Sequence, residues 1–464
     1  MTISTKRILY TLFFLIFFII GPFLLLYATG YRLNTQKFKI EKTGSLIVES
    51  FPKNADIFLN DKPIKQKTPA KLRYLLPNEY LLRVSKGGFY GWEKRVRVQS
   101  NLATFEKSII LIENNSPVLL YEGEITLLSP IQEKKAFLFI EKDEEVQHLK
   151  LFKAIDASQS LIKTFQKNST ITIEEWSFNK EYAVVSEYTQ NIANHFLLHV
   201  QTGEIQNITS ATGKFFEKIR FDALNGSILY GLRSNVIYQI DSRDFTTQAV
   251  LSDSVQDFTA RGTSFYYTST EGTRSLLKKT KLLGQEDAKT VMLPKFSQYS
   301  IRLVRDNILL VTDSIDHKIF LMKTEIFDSK NAAEIENNII LQETAMEVRW
   351  PKDQNEMLLI NTFEIREFSP ANKEVRLIAR LGEEIQNVHR AINGHFMVYK
   401  IRDTIKISNV SFPDKNTYTL LNKVDSAQIF IYDHGTVFSP HRSTAFVAGT
   451  ISGKRGIFAL TLHR

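Results

Sequence analysis

The sequence predicts a mostly-β chain in three parts: an N-terminal transmembrane helix, a small β-sandwich, and a seven- or eight-bladed β-propeller. Three observations predict it. A 21-residue run without charge opens the chain. Period-two alternation, cut by turn residues, follows. From about residue 115, short apolar runs recur at intervals of 39 to 48 residues.

The opening run, Ile8 to Ala28, reads ILYTLFFLIFFIIGPFLLLYA. At helical rise it covers the ~30 Å hydrocarbon layer. Gly21-Pro22 would kink a soluble helix but is tolerated in a membrane helix. Lys6 and Arg7 precede the run. The far flank, with Arg32, Lys37, Lys39 and Lys42, is basic too, so charge counting is close to a draw. The short N-terminal flank favours a cytoplasmic N-terminus with everything after Tyr31 exported. Residues 1–30 are therefore expected to be an uncleaved anchor in the cell membrane. The alternative is a signal peptide cut near Ala28.

A chain of 464 residues is too long for one ordinary domain. Its 33 Phe and 17 Tyr lean toward β structure. The absence of cysteine removes disulfides, thiol catalysis and zinc–thiolate sites together. The net charge of +9 is uneven: residues 1–110 carry 18 Lys+Arg against 7 Asp+Glu, and the remainder 41 against 43. Nucleic acid is not the expected partner of such a skew. Anionic lipid headgroups or an anionic envelope polymer beside the basic 31–110 region are.

A stalk, 31–43, leads to a β module over 44–108. Leu46 and Val48 alternate with polar neighbours, as do Ile57 and Leu59, then Tyr80, Leu82 and Val84, then Val96 and Val98. Pro52-Lys53-Asn54, Asn60-Asp61-Lys62-Pro63, Thr68-Pro69, Leu76-Pro77-Asn78 and Gly87-Gly88 break the runs, each with a residue that presets φ or tolerates positive φ. The order Gly44-Ser45-Leu46-Ile47-Val48, Pro52-Lys53-Asn54-Ala55, Thr68-Pro69, Pro77-Asn78-Glu79-Tyr80 and Lys86-Gly87-Gly88-Phe89 resembles a PEGA domain. The resemblance implies a small sandwich-like module of bacterial surface proteins, usually not catalytic. Here Asn54 and Asn78 stand where the family has Gly, and both are expected to take the left-handed conformation that Asn tolerates next best. Phe89 stands where Tyr is usual.

From about 115 to 464 the helical period nearly vanishes. Leu128-Ser129-Pro130 is followed by Ala136-Phe137-Leu138-Phe139, and Phe438-Ser439-Pro440 by Ala445-Phe446-Val447. Trp176-Ser177-Phe178-Asn179, Phe221-Asp222 and Trp350-Pro351-Lys352-Asp353 each lead to an apolar run as well. Equivalent places fall near 129, 177, 222, 261, 305, 351, 391 and 439. Units of this length with several strands each predict propeller blades. The aromatic-Ser-Pro turn is similar to the turn of TolB-type bacterial propellers. Eight marks imply eight blades, with seven as the alternative, and a pair of β-sandwiches is the rival architecture. The last unit lacks room for a fourth strand. Ser108–Ile112 or Val118–Tyr121 could supply it and close the ring, which would remove an open sheet edge.

Chemistry is harder to find, and no catalytic, cofactor-binding or metal residue is assigned. His195 and His199 have metal-like spacing, but Phe196 stands where a zinc helix needs Glu. A strand would hold them ~13 Å apart. Asp143-Glu144-Glu145 and Glu174-Glu175 are expected on solvated loops or blade edges. Ser264 lacks a nucleophile elbow. Gly203, Gly213 and Gly272 form no phosphate loop. Trp92-Glu93-Lys94-Arg95 could stack bases or sugars. The expected role is a non-enzymatic, membrane-anchored binding or scaffold protein, its propeller turned to a protein or glycan outside the cytoplasm, with no cofactor. A glycan-active enzyme with acids converging on the propeller axis is the alternative, and a purely mechanical spacer is a third reading.

Overall fold

The computed structural model describes residues 3–35, 38–131, 136–153, 158–190, 192–282, 288–350, 355–410, 416–434 and 442–463. Lys37, the Pro351-Lys352-Asp353 turn and the Phe438-Ser439-Pro440 turn lie outside the described residues. Helix α1 (Ile3–Ala28) contains Pro22. Its stretch Leu9–Ala28 is long and apolar enough to cross a membrane. Phe13, Phe17, Phe18 and Leu25 stand exposed rather than packed on the β modules.

The end of α1 is tied into the fold. A helix leaves its last carbonyls without partners, and cations are favoured there. Arg32 supplies both needs: Nη1 donates to the Tyr27 carbonyl (2.8 Å) and the Tyr31 carbonyl (2.7 Å). Its guanidinium also lies over the Tyr27 and Tyr74 rings, at 3.6 and 4.5 Å from their centroids. The Gly30 carbonyl accepts from Thr43 N (3.0 Å) and Thr43 Oγ1 (2.6 Å). The stalk between is a hairpin of β1 (Tyr31–Asn34) and β2 (Lys39–Lys42), with Leu33 opposite Ile40.

The next module is two sheets face to face. One joins β3 (Gly44–Phe51), β6 (Ala70–Leu75) and β9 (Ala103–Ile110); the other joins β4 (Asp56–Leu59), β5 (Lys62–Lys67), β7 (Asn78–Ser85) and β8 (Trp92–Val98). Every second residue of β3 turns inward, and Leu46 and Val48 meet Ile57, Leu82, Val84, Trp92 and Val98 in one apolar core. The turn after β3 is pinned by a buried hydroxyl pair, Ser50 Oγ to Thr68 Oγ1 (2.6 Å), and Thr68 Oγ1 accepts from Ala55 N (3.0 Å). Asn54 takes φ +63°, as expected of an Asn at a Gly position. Asn78 does not: it is the first residue of β7, in extended backbone, so the turn before Tyr80 is made without a left-handed residue.

Eight four-stranded sheets follow among the described residues. Seven are consecutive four-strand meanders. Their innermost strands are Glu124–Ile131, Thr170–Trp176, Lys218–Phe221, Val255–Arg261, Tyr299–Arg305, Glu347–Arg349 and Ile385–Ala391. The sequence marks near 129, 177, 222, 261, 305 and 391 fall within or just after such a strand, where the chain turns into the apolar second strand, and those near 351 and 439 lie outside the described residues. The eighth blade starts with Val424–His434, Arg442–Ile451 and Lys454–His463, and its outer strand is β10 (Val118–Glu122) from the other end of the ring. Val118 pairs with Ala459 and Glu122 with Gly456. Of the two segments that could close the ring, Ser108–Ile110 is already committed to the sandwich in β9. A Cβ on Gly456 would sit 2.0 Å from the Tyr121 carbonyl oxygen, so the closing strand needs glycine there. An aromatic cluster seals the seam: Phe137 and Phe152 of blade 1 stack at 4.7 Å, and Phe137 meets Phe430 and Phe446 of blade 8.

The sandwich sits against blades 7 and 8. Tyr90 and Tyr418 stack at 5.0 Å; Tyr90 OH donates to the Thr419 carbonyl (2.8 Å) and Tyr418 OH to the Gly91 carbonyl (3.0 Å). Glu113 N donates to the Leu462 carbonyl, and the His463 ring packs on Phe51.

Candidate binding cleft on the inner strands of the propeller

The innermost strand of a blade has a hydrogen-bonded neighbour strand on one side only, so polar residues can enter its pattern. They do so at a repeated place. Two residues before five of the marks stand Glu175, Arg220, Thr259, Arg349 and His389, while Leu127 and Leu303 hold that place before the marks at 129 and 305. In blades 2 to 5 these strands border a cleft of about 570 Å³, lined by Glu175, Trp176, Phe178, Arg220, Asp222, Thr259, Arg261, Arg302, Arg305 and Asp306 among others.

An ion-pair network holds its lining residue Arg220. Asp257 is buried and holds Lys218 Nζ at 2.8 Å and Arg220 Nη2 at 3.2 Å. It also accepts from Phe258 N and Ile301 N, both at 2.9 Å. Burial works against the Asp257 carboxylate, but Arg220, Lys218 and the Ile301 amide outweigh it and hold it below the usual carboxylate range. Glu175 behaves oppositely. Its Oε1 lies 3.7 Å from Arg220 Nη1 and its Oε2 accepts from Phe221 N at 2.9 Å. Burial still pushes its carboxyl up, more than Arg220 lowers it. Arg220 Nε is buried without an acceptor among the described residues.

The rim is built from turns. Asp222 Oδ1 accepts from Leu224 N and Asn225 N, and its Oδ2 from Gly262 N of the next blade (2.7 Å), which locks blades 3 and 4 together. Arg261 pairs with Asp306 across blades 4 and 5. Arg305 lies 4.5 Å over the Trp350 ring. Arg302 is exposed in the cleft, and so is Phe178. The cleft thus offers guanidinium groups and aromatic faces, while its acids are engaged with cations or backbone amides. Such a surface can hold carboxylates or phosphates bidentately and planar groups by stacking.

Sequence expectations fare unevenly. Glu174-Glu175 lie on the innermost strand of blade 2, not on a solvated loop, and both are engaged. Glu174 accepts from Thr172 Oγ1 and from Tyr188 OH, and burial together with Glu174 pushes the Tyr188 phenol up to about 12. The strand carries a bulge between Ile173 and Glu175, which breaks strict alternation. Asp143-Glu144-Glu145 form the exposed turn before Val146, as expected. His195 and His199 share the strand Ile192–His199. His195 is buried, with Nε2 donating to the Phe216 carbonyl and Nδ1 at 2.7 Å from Ser186 Oγ. His199 binds Thr202 Oγ1. Ser264 starts a plain strand. Trp92 is in the sandwich core and Lys94 pairs with Glu106 at 2.9 Å, so the expected stacking platform is not there. The sequence reading missed the cleft because its residues come from four blades.

No curated protein matches the chain. Among solved structures it is similar to a chain from a study of two prolyl endopeptidases (10% identity, TM-score 0.44), covering 72% of this chain and 55% of that one. It is similar to dipeptidyl peptidase 4 of Porphyromonas gingivalis (9%, TM-score 0.45), covering 72% and 58%. An uncharacterized protein of Listeria monocytogenes (11%, TM-score 0.43) is covered over 95% of its length by 65% of this chain. The chain spans little more than half the length of the two peptidase structures. The sandwich is where a family is matched: residues 43–109 match the PEGA domain.

Proposed function

We propose that this is a single-pass membrane protein, its N-terminus cytoplasmic, that holds a binding propeller outside the cytoplasm and acts without catalysis, as a receptor or scaffold for a protein or glycan. The observation that carries the binding role is the cleft of blades 2 to 5. Arg302 is displayed beside Trp176 and Phe178, while Asp257 and Glu175 serve to hold Arg220. This is an arrangement for recognising acidic groups. The anchor reading draws on α1, whose end is capped by Arg32 of the following hairpin; a segment destined for removal needs no such tie. The PEGA match supports a place at the cell surface.

A second reading, a glycan-active enzyme, draws on Glu175, whose raised carboxyl could serve as an acid. Protease protection on intact cells, with a tag at each terminus, tests the main reading first. Loss of the C-terminal tag to external protease, with the N-terminal tag kept at the membrane, is the expected result. Protection of both tags until lysis overturns it. Cleavage of an envelope glycan by the purified chain, abolished in Glu175→Gln, would replace receptor by enzyme.

A further inference from the structure

We propose that the hairpin of β1 and β2, with the cavity beside it, is a docking surface for anionic phospholipid: the hairpin's apolar side chains enter the membrane interface and the cavity takes a lipid headgroup. The inference rests on reading α1 as membrane-spanning. Thr29 and Gly30 alone separate the helix from the hairpin. At ~3.5 Å per residue the hairpin starts within roughly 10 Å of the helix end, at the height of the headgroups.

What stands there is unusual for a water-facing hairpin. Phe38 is 88% exposed at the tip, Leu33 is 59% exposed, and Ile40, its register partner on the same face, is 43% exposed. The cavity, about 450 Å³, lies where the hairpin meets the sandwich. Lys42, Lys71, Arg73, Tyr74, Asn101 and Leu102 line it, with no Asp or Glu in its lining. Lys71 and Arg73 are exposed. Apolar side chains, an aromatic ring and a set of cations close to the end of the helix are the composition that membrane interfaces select. The cations complement a phosphate, and the apolar tip explains why the occupant is a lipid surface rather than a soluble phosphate. Arg32, clamped between Tyr27 and Tyr74, ties the end of the helix to the sandwich beside this cavity.

The chain has no cysteine, which makes the test direct. The full chain carrying Phe38→Cys, labelled with an environment-sensitive dye, is reconstituted in nanodiscs of phosphatidylcholine with or without phosphatidylglycerol. Ser452→Cys, in an exposed turn of blade 8, is the reference. The expected result is blue-shifted emission at position 38, quenched by a nitroxide lipid and stronger with phosphatidylglycerol, with none at position 452. Lys71→Glu with Arg73→Glu should abolish the dependence on phosphatidylglycerol. A chain that enters nanodiscs while position 38 stays water-like overturns the inference and leaves the anchor standing. A chain that fails to enter nanodiscs overturns the anchor itself. Equal emission in both lipids overturns the headgroup assignment.

Discussion

The sandwich and the propeller are made of the same kind of strand, yet they keep their charge on opposite sides. The sandwich has an apolar core from both sheets and shows its basic residues outward. The propeller is nearly neutral in sum, but it brings charge inward: Arg220 and Asp257 have side chains 10% and 2% exposed. The difference follows from geometry. In a two-sheet sandwich every inward position meets the other sheet, so a charge there would be stranded. In a ring of blades the first strand of each sheet meets its counterparts from other blades, and a cation from one can be neutralised by an anion from the next. The lesson is that the sandwich acts through its outside and the propeller through its centre.

The largest expected effect tests that inward charge. Asp257→Ala leaves Arg220 buried without its main anion and should cost about 3–5 kcal/mol in chemical denaturation of the propeller. Acid should act on this site with two signs. The Asp257 carboxyl is held low, so its stabilisation is full above the unfolded carboxylate range and is lost as pH falls through its folded pKa. The Glu175 carboxyl is raised, so its charge costs stability as pH rises through its folded pKa. Glu175→Gln should therefore raise the melting temperature at pH 7 and leave it unchanged in acid below the unfolded range. An unchanged melting temperature at both pH values would show that burial does not dominate at Glu175.

A middle-sized effect tests whether the two regions are joined firmly. Tyr418→Phe keeps the stack on Tyr90 but removes the hydrogen bond to the Gly91 carbonyl, and should cost about 1 kcal/mol. Hydrogen exchange should rise at Tyr90–Glu93 and at the edge of blade 7. No change there would mean that the other contacts, Tyr90 OH to the Thr419 carbonyl and Glu113 N to the Leu462 carbonyl among them, hold the junction without Tyr418 OH. The smallest effect is on the sandwich exterior. Asp56→Ala breaks the exposed pair with Lys67, whose side chains are 53% and 57% exposed, and should cost under ~1 kcal/mol. A loss equal to that of Asp257→Ala would erase the contrast.

How much of this was legible depended on whether the signal was local. The sandwich announced itself through turns: Pro52, Asn54, Asn60-Asp61 and Pro69 each impose their own backbone, so their order is readable along the chain. The blade marks were readable because each unit repeats one physical event, an inner strand turning into an apolar second strand. The cleft was not readable in that way. Glu175, Arg220, Asp257 and Arg302 are far apart in sequence, and each looks like an ordinary surface charge beside its own neighbours. A signal was present nonetheless. Aligned on the marks, Glu175, Arg220, Arg349 and His389 occupy one position, and a recurrent polar residue inside an otherwise apolar strand points to the place where strands of different blades converge. The bulge between Ile173 and Glu175 hid it further, because it breaks the alternation that would mark Glu174-Glu175 as part of a strand rather than a solvated loop or blade edge. In Asn78 the same local logic overreached, since strand pairing with Val98 took the residue that turn chemistry had claimed.

The closing strand also sets a timetable. Val118 leaves the ribosome long before its partner Ala459. At synthesis rates of ~5–20 residues per second, the early strand waits roughly 20–70 s with one edge unpaired. Throughout that interval the sandwich precedes the waiting edge directly in the chain, and because it packs on Leu462 and His463 in the finished fold it marks the spot where the hairpin must arrive. Loss of the hairpin formed by Arg442–Ile451 and Lys454–His463 would leave the ring open, with the edge of β10 unpaired and exposed.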